Sequence, residues 1–338
     1  MKLRHAAIVA PVFALAALAC GSSDQAADPD GSGSAFSEKQ SSGRSLPPMT
    51  LALTFDDGPG PRTKELSSYL KSQGIASGFF MMGQNAQGKS DVMKQVNDDG
   101  HIIGNHTWDH PLLTKLSASA VQTELQRTDD VIGPFLKGNM RMFRAPFGGW
   151  SPATADHLNK TPLAKYVGSI FWDIGGDLTA THAADWACWG AAKLTIEQCG
   201  DRYIREIHDR GDHGVVLMHD IHSNTIDMVK VIVPKLKALG YKFVRIDQVP
   251  DINAQLIANG ATPSAESGVT SPPAPPPECA ADGMLCGALV GKDPHTLFSC
   301  KSHRLDPACV CQGDCNATAH GSECDCAAGE PGALPLNP

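Results

Sequence analysis

Two adjacent carboxylates lie in the stretch LTFDDGP, residues 53–59, directly after an apolar run. Asp56 and Asp57 carry like charges, which repel at close range unless something cationic separates their roles. A metal ion would do so, with one aspartate as its ligand. The other aspartate would then be free to act as a base toward a water molecule. The sequence therefore predicts a metal site at the end of this run.

A second polar group follows the apolar stretch HIIG in the sequence NHTWDH, residues 105–110. His106 and His110 are four residues apart, so in a helical turn both imidazoles lie on one face and can bind one ion. Two histidines and one carboxylate leave open positions for water and substrate, which is typical of a catalytic zinc site. We therefore expect these histidines to complete the metal site.

Two more apolar runs end in residues that could take part in chemistry. Arg144 lies in FRAPFGG and can hold a carboxylate by two parallel hydrogen bonds, although it could also be a surface residue in a turn. His219 ends VVLMH and could be a general acid or a core residue. Trp150, beside the Arg144 loop, could stack on a sugar ring or pack the loop.

The elements that would position these residues alternate along the chain. Strands are predicted for the apolar runs TLALTF, GFFMM, HIIG, RMF, YVGSIFWDI, GVVLMH and YKFVRI. Between them lie helical patterns, clearest over residues 117–138 and 223–240. This alternation predicts a parallel α/β fold, either a barrel or an open sheet. In both, chemistry gathers at the carboxyl ends of the strands, where the polar residues fall.

The N-terminus has the pattern of an export signal. A basic segment, MKLRH, precedes the apolar run AAIVAPVFALAALAC, so residues 1–20 are predicted to be a signal peptide. Small residues before Cys20 resemble the lipobox of a bacterial lipoprotein, and an ordinary signal peptide with an incidental cysteine is the alternative. A lipid anchor on Cys20 would be the sole membrane attachment, and Ser22 favours the outer membrane over the inner one. Otherwise the chain would be secreted.

Cysteine usage and composition divide the rest of the chain. Of eleven cysteines, ten remain to pair if Cys20 carries lipid. Residues 21–47 are predicted to be a disordered tether, 48–250 the catalytic domain and 251–277 a Pro-rich linker. Residues 278–338, with eight cysteines, are predicted to form a small module stapled by disulfides rather than by a metal. A net charge of -8 without a basic stripe argues against a nucleic-acid partner.

The motifs TFDDGP, NHTWDHP, RAPFG and LMHD, in this order, resemble four of the five signature motifs of the polysaccharide deacetylases, the NodB-homology or family 4 carbohydrate esterases. The resemblance implies a distorted (β/α) barrel over residues 48–250. It also implies that Asp56 is the catalytic base. Asp57, His106 and His110 would bind a divalent metal, most often zinc.

The same resemblance assigns roles on the other side of the site. Arg144 would orient Asp56, the backbone amide of Phe147 would donate to the oxyanion, and His219 would be the general acid. Leu217 would lie beside it in an acetyl-sized pocket. The family's fourth motif, an Asp before a Trp that orients the acid, is altered in FWDIGGDLTATHAADWACW, residues 171–189.

Three aspartates of this altered stretch could orient His219. They are Asp173, Asp177 and Asp185. We expect Asp177. Asp185 precedes Trp186, as the motif requires, but sits later, after an insertion that a Cys188–Cys199 bridge could hold.

The predicted function is a metal-dependent hydrolase that removes acetyl groups from N-acetylhexosamine polymers, chitin-like or peptidoglycan-like. An acetylxylan esterase on the same fold is the alternative. A third hypothesis from a different class is an inactive glycan-binding surface lipoprotein, which the altered fourth motif favours. Acetylated polysaccharide is the expected partner, and a monomer is assumed.

Overall fold

The computed structural model describes residues 36–263 with their side chains, and the backbone of five further segments, 283–286, 296–301, 304–310, 316–318 and 321–323. The predicted signal peptide, the lipid anchor at Cys20 and most of the Pro-rich linker lie outside the described residues. Within the described part of the chain, every helix is too short or too polar to cross a membrane.

Seven strands and nine helices form the main body of the described chain. The strands are β1 (Phe36–Ser41), β2 (Thr50–Asp56), β3 (Gly78–Met81), β4 (Ile102–Asn105), β5 (Gly168–Ile170), β6 (His213–His219) and β7 (Lys242–Phe243). The helices are α1 (Thr63–Ser72), α2 (Gly83–Ala86), α3 (Ser90–Asp98), α4 (Ala118–Ile132), α5 (Pro152–Asn159), α6 (Asp185–Trp189), α7 (Ile196–Asp209), α8 (Ser223–Ala238) and α9 (Pro250–Ala258).

The central sheet is parallel and closes into a distorted barrel. Its strand order is β4-β3-β2-β6, and β7 also pairs with β2. Isolated parallel bridges continue it, since Phe143 pairs with Asn105 and the neighbouring Met142 with Val167. After Val167, the chain returns to β6 of the same sheet, because Ile174 forms a parallel bridge with Val216. The predicted α/β barrel is therefore confirmed, although short bridges replace full strands on one side.

Apolar sequence explains why these strands are central. Every residue of β2 is buried, as expected for a parallel strand covered on both sides. β6 is buried over the five residues between its two terminal histidines. Helices α7 and α8 cover this side, with Ile207 and Val233 in the same core as Met218. α7 begins with a capping box between Thr195 and Gln198, which satisfies backbone groups at its start.

The amino-terminal boundary of the domain differs from the prediction of a tether over 21–47. β1 and a 3-10 helix at Gly43–Ser45 lie within that range. Phe36 is buried, with its ring centroid 5.9 Å from that of Phe143 and 5.7 Å from that of Trp150. The Trp150 indole donates to the carbonyl of Ser37 at 2.9 Å, so Trp150 packs its loop. The folded domain thus begins by residue 36.

The carboxyl boundary also moves. α9 continues the domain past residue 250, with Ile252 and Leu256 buried in the core, so the predicted boundary at residue 250 falls inside the folded domain. Two predicted strands are shorter than their apolar runs. YVGSIFWDI forms a strand at Gly168–Ile170 and YKFVRI at Lys242–Phe243.

Short strands occupy the described part of the Cys-rich segment. β8 (Gly283–Cys286), β9 (Thr296–Lys301) and β10 (Arg304–Val310) form an antiparallel sheet in the order β10-β9-β8. β11 (Asn316–Thr318) and β12 (Gly321–Glu323) pair as a separate antiparallel ribbon. The disulfides predicted for residues 278–338 lie outside the described side chains.

The packing of Phe36 predicts that β1 stabilises the domain. Replacing Phe36 with Ala should lower the free energy of unfolding by about 3–5 kcal/mol, because a buried aromatic ring is lost. Ile257→Ala is the matched control, since this side chain is 58% exposed and its loss should change stability by at most about 0.5 kcal/mol. Urea unfolding followed by circular dichroism would measure both. Equal midpoints for the two variants would contradict the assignment of β1 to the core.

Candidate functional site

Asp56 and Asp57 both face the site because the backbone leaves the strand conformation between them. Side chains alternate in a regular strand, but Asp57 has a φ of 71°, in the left-handed region. The turn continues through Gly58. A side chain on Gly58 would bring its Cβ to 2.2 Å from a carboxylate oxygen of Asp220, so glycine is required there.

His106 and His110 lie on a loop rather than on the predicted helical turn. Thr107 and His110 both have positive φ, 66° and 65°, which folds the loop tightly. Glu124 of α4 accepts hydrogen bonds from the amides of Trp108 and Asp109, at 2.9 and 3.2 Å, and holds the loop. The prediction of the local structure was wrong, but both imidazoles still reach one point.

Asp57 and the two histidines have the geometry of a metal site. Asp57 Oδ1 lies 3.5 Å from His106 Nε2 and 3.4 Å from His110 Nε2. One ligand atom from each residue lies within 4.8 Å of the other two. Asp57 Oδ1 is buried without a hydrogen-bond partner in the described chain, which is costly unless a cation satisfies it.

The protonation of the histidines also fits a metal. His106 Nδ1 donates to the carbonyl of Arg144 at 2.9 Å, which leaves Nε2 free to coordinate. Burial, and next the neighbouring His106, lower the pKa of His110, and a histidine must be neutral to bind a metal. Two imidazoles and one carboxylate suit zinc among the common divalent ions. The residues present therefore fit a bound divalent metal.

Arg144 and Asp56 form a buried ion pair. Arg144 is 0% exposed and donates from Nη1 to Asp56 Oδ1 at 2.7 Å and to Thr54 Oγ1 at 2.9 Å. Its Nε donates to the carbonyl of Ile170 at 3.2 Å. The other oxygen of Asp56 lies 3.6 Å from His106 Nε2. The structure thus has the contact expected between Arg144 and Asp56, with the carboxylate beside the metal ligands.

The residue that orients His219 is Asp185, and the expectation of Asp177 was wrong. His219 Nδ1 donates to Asp185 Oδ1 at 2.7 Å, and the His219 amide donates to Asp185 Oδ2 at 2.7 Å. Asp177 lines the same cavity. Asp173 accepts hydrogen bonds from the amides of Gly43 and Val215 instead. The Asp-Trp dipeptide was the available signal, and the long stretch before it concealed the match.

The Asp185 contact sets the charge of His219. Burial alone would lower the pKa of His219, but the charge and hydrogen bond of Asp185, with smaller contributions from Asp56 and Asp57, raise it to about 9. The imidazole is therefore protonated at neutral pH. Burial would raise the pKa of Asp185, yet the charge of His219 and several hydrogen bonds hold it below its ordinary value.

These groups open into one cavity of about 760 Å³. Its walls include Asp57, His106, His110, Phe147, Leu217 and His219. The ring of Phe147 is 67% exposed and lies 4.4 Å from that of His110, centroid to centroid. Trp186, beside Asp185, also lines the cavity and is 52% exposed. The cavity is thus lined by the candidate metal donors, by the imidazole of His219 and by exposed aromatic residues.

Strand register explains why the groups meet. Asp56 pairs in register with Phe80 on β3 and with His219 on β6. Thr54, two residues earlier, pairs with Leu217. The carboxyl ends of adjacent parallel strands therefore carry Asp56, His219 and the metal ligands at a single edge of the barrel.

Residues 43–166 match the family model described as polysaccharide deacetylase. The chain is 30% identical over 207 residues to the peptidoglycan-N-acetylmuramic acid deacetylase PdaC of Bacillus subtilis, covering 61% of this chain and 39% of that protein. It is 27% identical over 209 residues to a chitooligosaccharide deacetylase of Azorhizobium caulinodans, covering 57% and 90%. The chain spans about two fifths of the length of the first curated relatives, 39% and 38%.

Among solved structures, the Bc1960 peptidoglycan N-acetylglucosamine deacetylase is similar, with a TM-score of 0.52 and 21% identity. The match covers 64% of this chain and 92% of that structure and supports the fold. The family match ends at residue 166, before Asp185 and His219. The contacts of those two residues are read from the geometry of this chain.

The donor set predicts a metal affinity that depends on His110. His110→Ala should weaken zinc binding by more than about 100-fold, because loss of even an outer-shell partner typically costs 10–100-fold. His222→Ala is the control, since its ring lies beside that of His219, 6.2 Å away, and outside the donor set. Isothermal titration with zinc chloride would compare them. Equal affinities in the two variants would refute the donor set.

The Asp185 contact predicts the titration of His219. In metal-free protein, the imidazole should titrate near pH 9, and Asp185→Asn should clearly lower its pKa, because burial is then opposed only by the smaller effects of Asp56 and Asp57. Asp177→Asn should move it by a few tenths of a unit at most. Histidine resonances followed by NMR over pH 5–10 would measure these values. A larger shift in the Asp177 variant would restore the original assignment.

Proposed function

We propose that this chain, whose residues 43–166 match the polysaccharide deacetylase family model, is a metal-dependent hydrolase that removes acetyl groups from N-acetylhexosamine polymers. One observation carries the proposal. The metal donor set, the carboxylate of Asp56 and the protonated imidazole of His219 line one cavity. Hydrolysis of an acetamide needs an activated water, a base and an acid, and each has a candidate here.

Asp57, His106 and His110 would hold the metal, for which we propose zinc. When bound, it would supply a Lewis acid that lowers the pKa of a water molecule and polarises the acetyl carbonyl. Asp56 would accept the proton of that water. Its Oδ1 is held by Arg144 at 2.7 Å, which orients the carboxylate, and its Oδ2 lies 3.6 Å from His106 Nε2.

His219 and the residues around it would serve the leaving group. An amine leaves an acetamide only if it gains a proton, and His219 holds one at neutral pH. Asp185 keeps this imidazole charged and oriented. The backbone amide of Phe147 would donate to the developing oxyanion, a contribution of about 3 kcal/mol. Leu217, beside His219 on the strand, would pack against the acetyl methyl group.

The substrate we propose is a chitin-like or peptidoglycan-like polymer. The relatives' names give peptidoglycan and chitooligosaccharide as their substrates, and the candidate metal donors and Asp56 of this chain lie within residues 43–166, which match the family model. The third hypothesis, an inactive glycan-binding protein, was favoured by the altered fourth motif alone. Asp185 supplies the contact to His219 that this motif normally provides, so that argument no longer applies.

We also propose that the protein acts outside the cytoplasm, at the cell envelope or secreted. The disulfide between Cys188 and Cys199 supports this, since such bonds persist in oxidising compartments. The signal-like residues 1–20 point the same way. Lipid attachment at Cys20 and the outer membrane remain predictions from the sequence.

Acetate release tests the proposal. The chain without the predicted signal, residues 21–338, should release acetate from an N-acetylglucosamine oligomer or peptidoglycan, and a chelator should abolish the release. Asp56→Asn should reduce the rate by about 10²–10⁴-fold, the usual contribution of a general base. Asp156→Asn is the matched control, because Asp156 of α5 forms an exposed ion pair with Lys160, just after the helix.

The outcomes separate the alternatives. Release from acetylated xylan alone would assign the chain to the esterases. No release from any of the three substrates, despite bound zinc, would contradict the proposed hydrolase.

A further inference from the structure

The general acid depends on a helix that is too short to be stable by itself. Asp185 is the first residue of α6, which has five residues, Asp185–Trp189. Helices of fewer than about 12 residues are marginal in water, so contacts outside α6 must fix it. Because Asp185 orients His219, any movement of α6 would change the orientation of the His219 imidazole.

Three attachments hold α6, two of them to α7 and one to α8. The amide of Asp185 donates to Tyr203 Oη on α7 at 3.1 Å, and this hydroxyl donates to the carbonyl of Leu217 at 2.9 Å. The disulfide links Cys188 to Cys199, also on α7. Trp189 Nε1 donates to Thr225 Oγ1 on α8 at 3.0 Å.

Thr225 has a second contact that aims its hydroxyl. An indole N–H is a donor only, so Thr225 Oγ1 accepts from Trp189, and its single proton is free to be donated elsewhere. That proton goes to Asp185 Oδ2 at 2.7 Å. The carboxylate of Asp185 is fully buried and also accepts from the amide of Trp186 at 2.9 Å.

We propose that Thr225 is a positioning residue for the general acid, and that the Cys188–Cys199 disulfide fixes the helix on which this arrangement depends. Thr225 joins both ends of α6, since it accepts from Trp189 at one end and donates to Asp185 at the other. Without the Thr225 hydroxyl, Oδ2 of the buried Asp185 carboxylate loses a hydrogen-bond donor. The carboxylate can then rotate away from His219 Nδ1. This inference rests on the proposed function, because it concerns the acid of that reaction.

The chemistry of the leaving group gives a specific readout. An acetamide needs the proton of His219, whereas 4-nitrophenyl acetate releases a stable phenolate and does not. A misplaced acid should therefore slow the amide reaction and spare the aryl ester. A general loss of structure, or a loss of metal, would slow both.

The test compares two substitutions at one position. Thr225→Val removes the hydroxyl, and it should lower kcat for an N-acetylglucosamine oligomer at least about tenfold with KM unchanged. Its rate on 4-nitrophenyl acetate should stay within about twofold. Thr225→Ser keeps the hydroxyl and should restore the amide rate. Thr128→Val is the matched control, a buried threonine of α4 whose hydroxyl bonds its own helix at Glu124.

The disulfide gives a second measurement. The double variant Cys188→Ser and Cys199→Ser, with its zinc content verified, should show the same selective loss on the amide. If this variant fails to fold, the Thr225 pair still decides the question.

Each outcome bears on a different claim. Equal losses on both substrates in Thr225→Val, or an unchanged amide rate, would overturn the positioning role while the hydrolase stands. A wild-type chain that binds zinc but releases no acetate from any N-acetylated polymer would overturn the proposed function and this inference with it.

Discussion

The candidate site depends on the buried guanidinium of Arg144. It binds Asp56 and Thr54 through one nitrogen, and the Arg144 carbonyl accepts from His106 Nδ1. One residue thus orients the proposed base and selects the tautomer of a proposed metal ligand. Removing one partner of such a pair leaves an uncompensated buried charge, which typically costs about 3–5 kcal/mol. Arg144 therefore constrains the fold and the chemistry together.

This constraint acts through the register of the barrel strands. The Arg144 amide donates to the carbonyl of Asn105, which ties the arginine to the strand just before His106. Asp56 pairs in register with His219, so the proposed base and the proposed acid lie on strands separated by about 4.8 Å. The left-handed backbone at Asp57 brings its carboxylate close to His106 and His110. Small irregularities at strand ends, rather than the strands themselves, aim the functional side chains.

The sequence was sufficient to predict the features that depend on local pattern. Buried parallel strands are continuous apolar runs, so β2 and β6 were recognised, as were the polar residues at their ends. β1 was missed because the sequence FSEKQS has one large apolar residue, and its burial comes from aromatic rings more than 100 positions away. Sequence pattern carries no record of such contacts.

The choice among three aspartates failed for a related reason. In the sequence, Asp177 lies closer than Asp185 to the end of the preceding strand. The residues between them carry no local pattern that shows which aspartate reaches His219. What selects Asp185 is the set of groups around it, the hydroxyls of Tyr203 and Thr225 and the backbone of His219. These come from α7, α8 and β6, so the partner is decided by tertiary packing and not by spacing.

The candidate metal donors and Asp185 are consequently held in place in different ways. Asp57 and the two histidines follow barrel strands, and their loop is tied to α4 by Glu124. Asp185 instead sits on a five-residue helix that needs a covalent link and side-chain hydrogen bonds to keep its place. A disulfide can hold such a helix in an oxidising compartment, where these bonds persist. The signal-like N-terminus also indicates such a compartment. The position of Asp185, and with it the orientation of His219, thus depends on a disulfide that the predicted export of the chain would preserve.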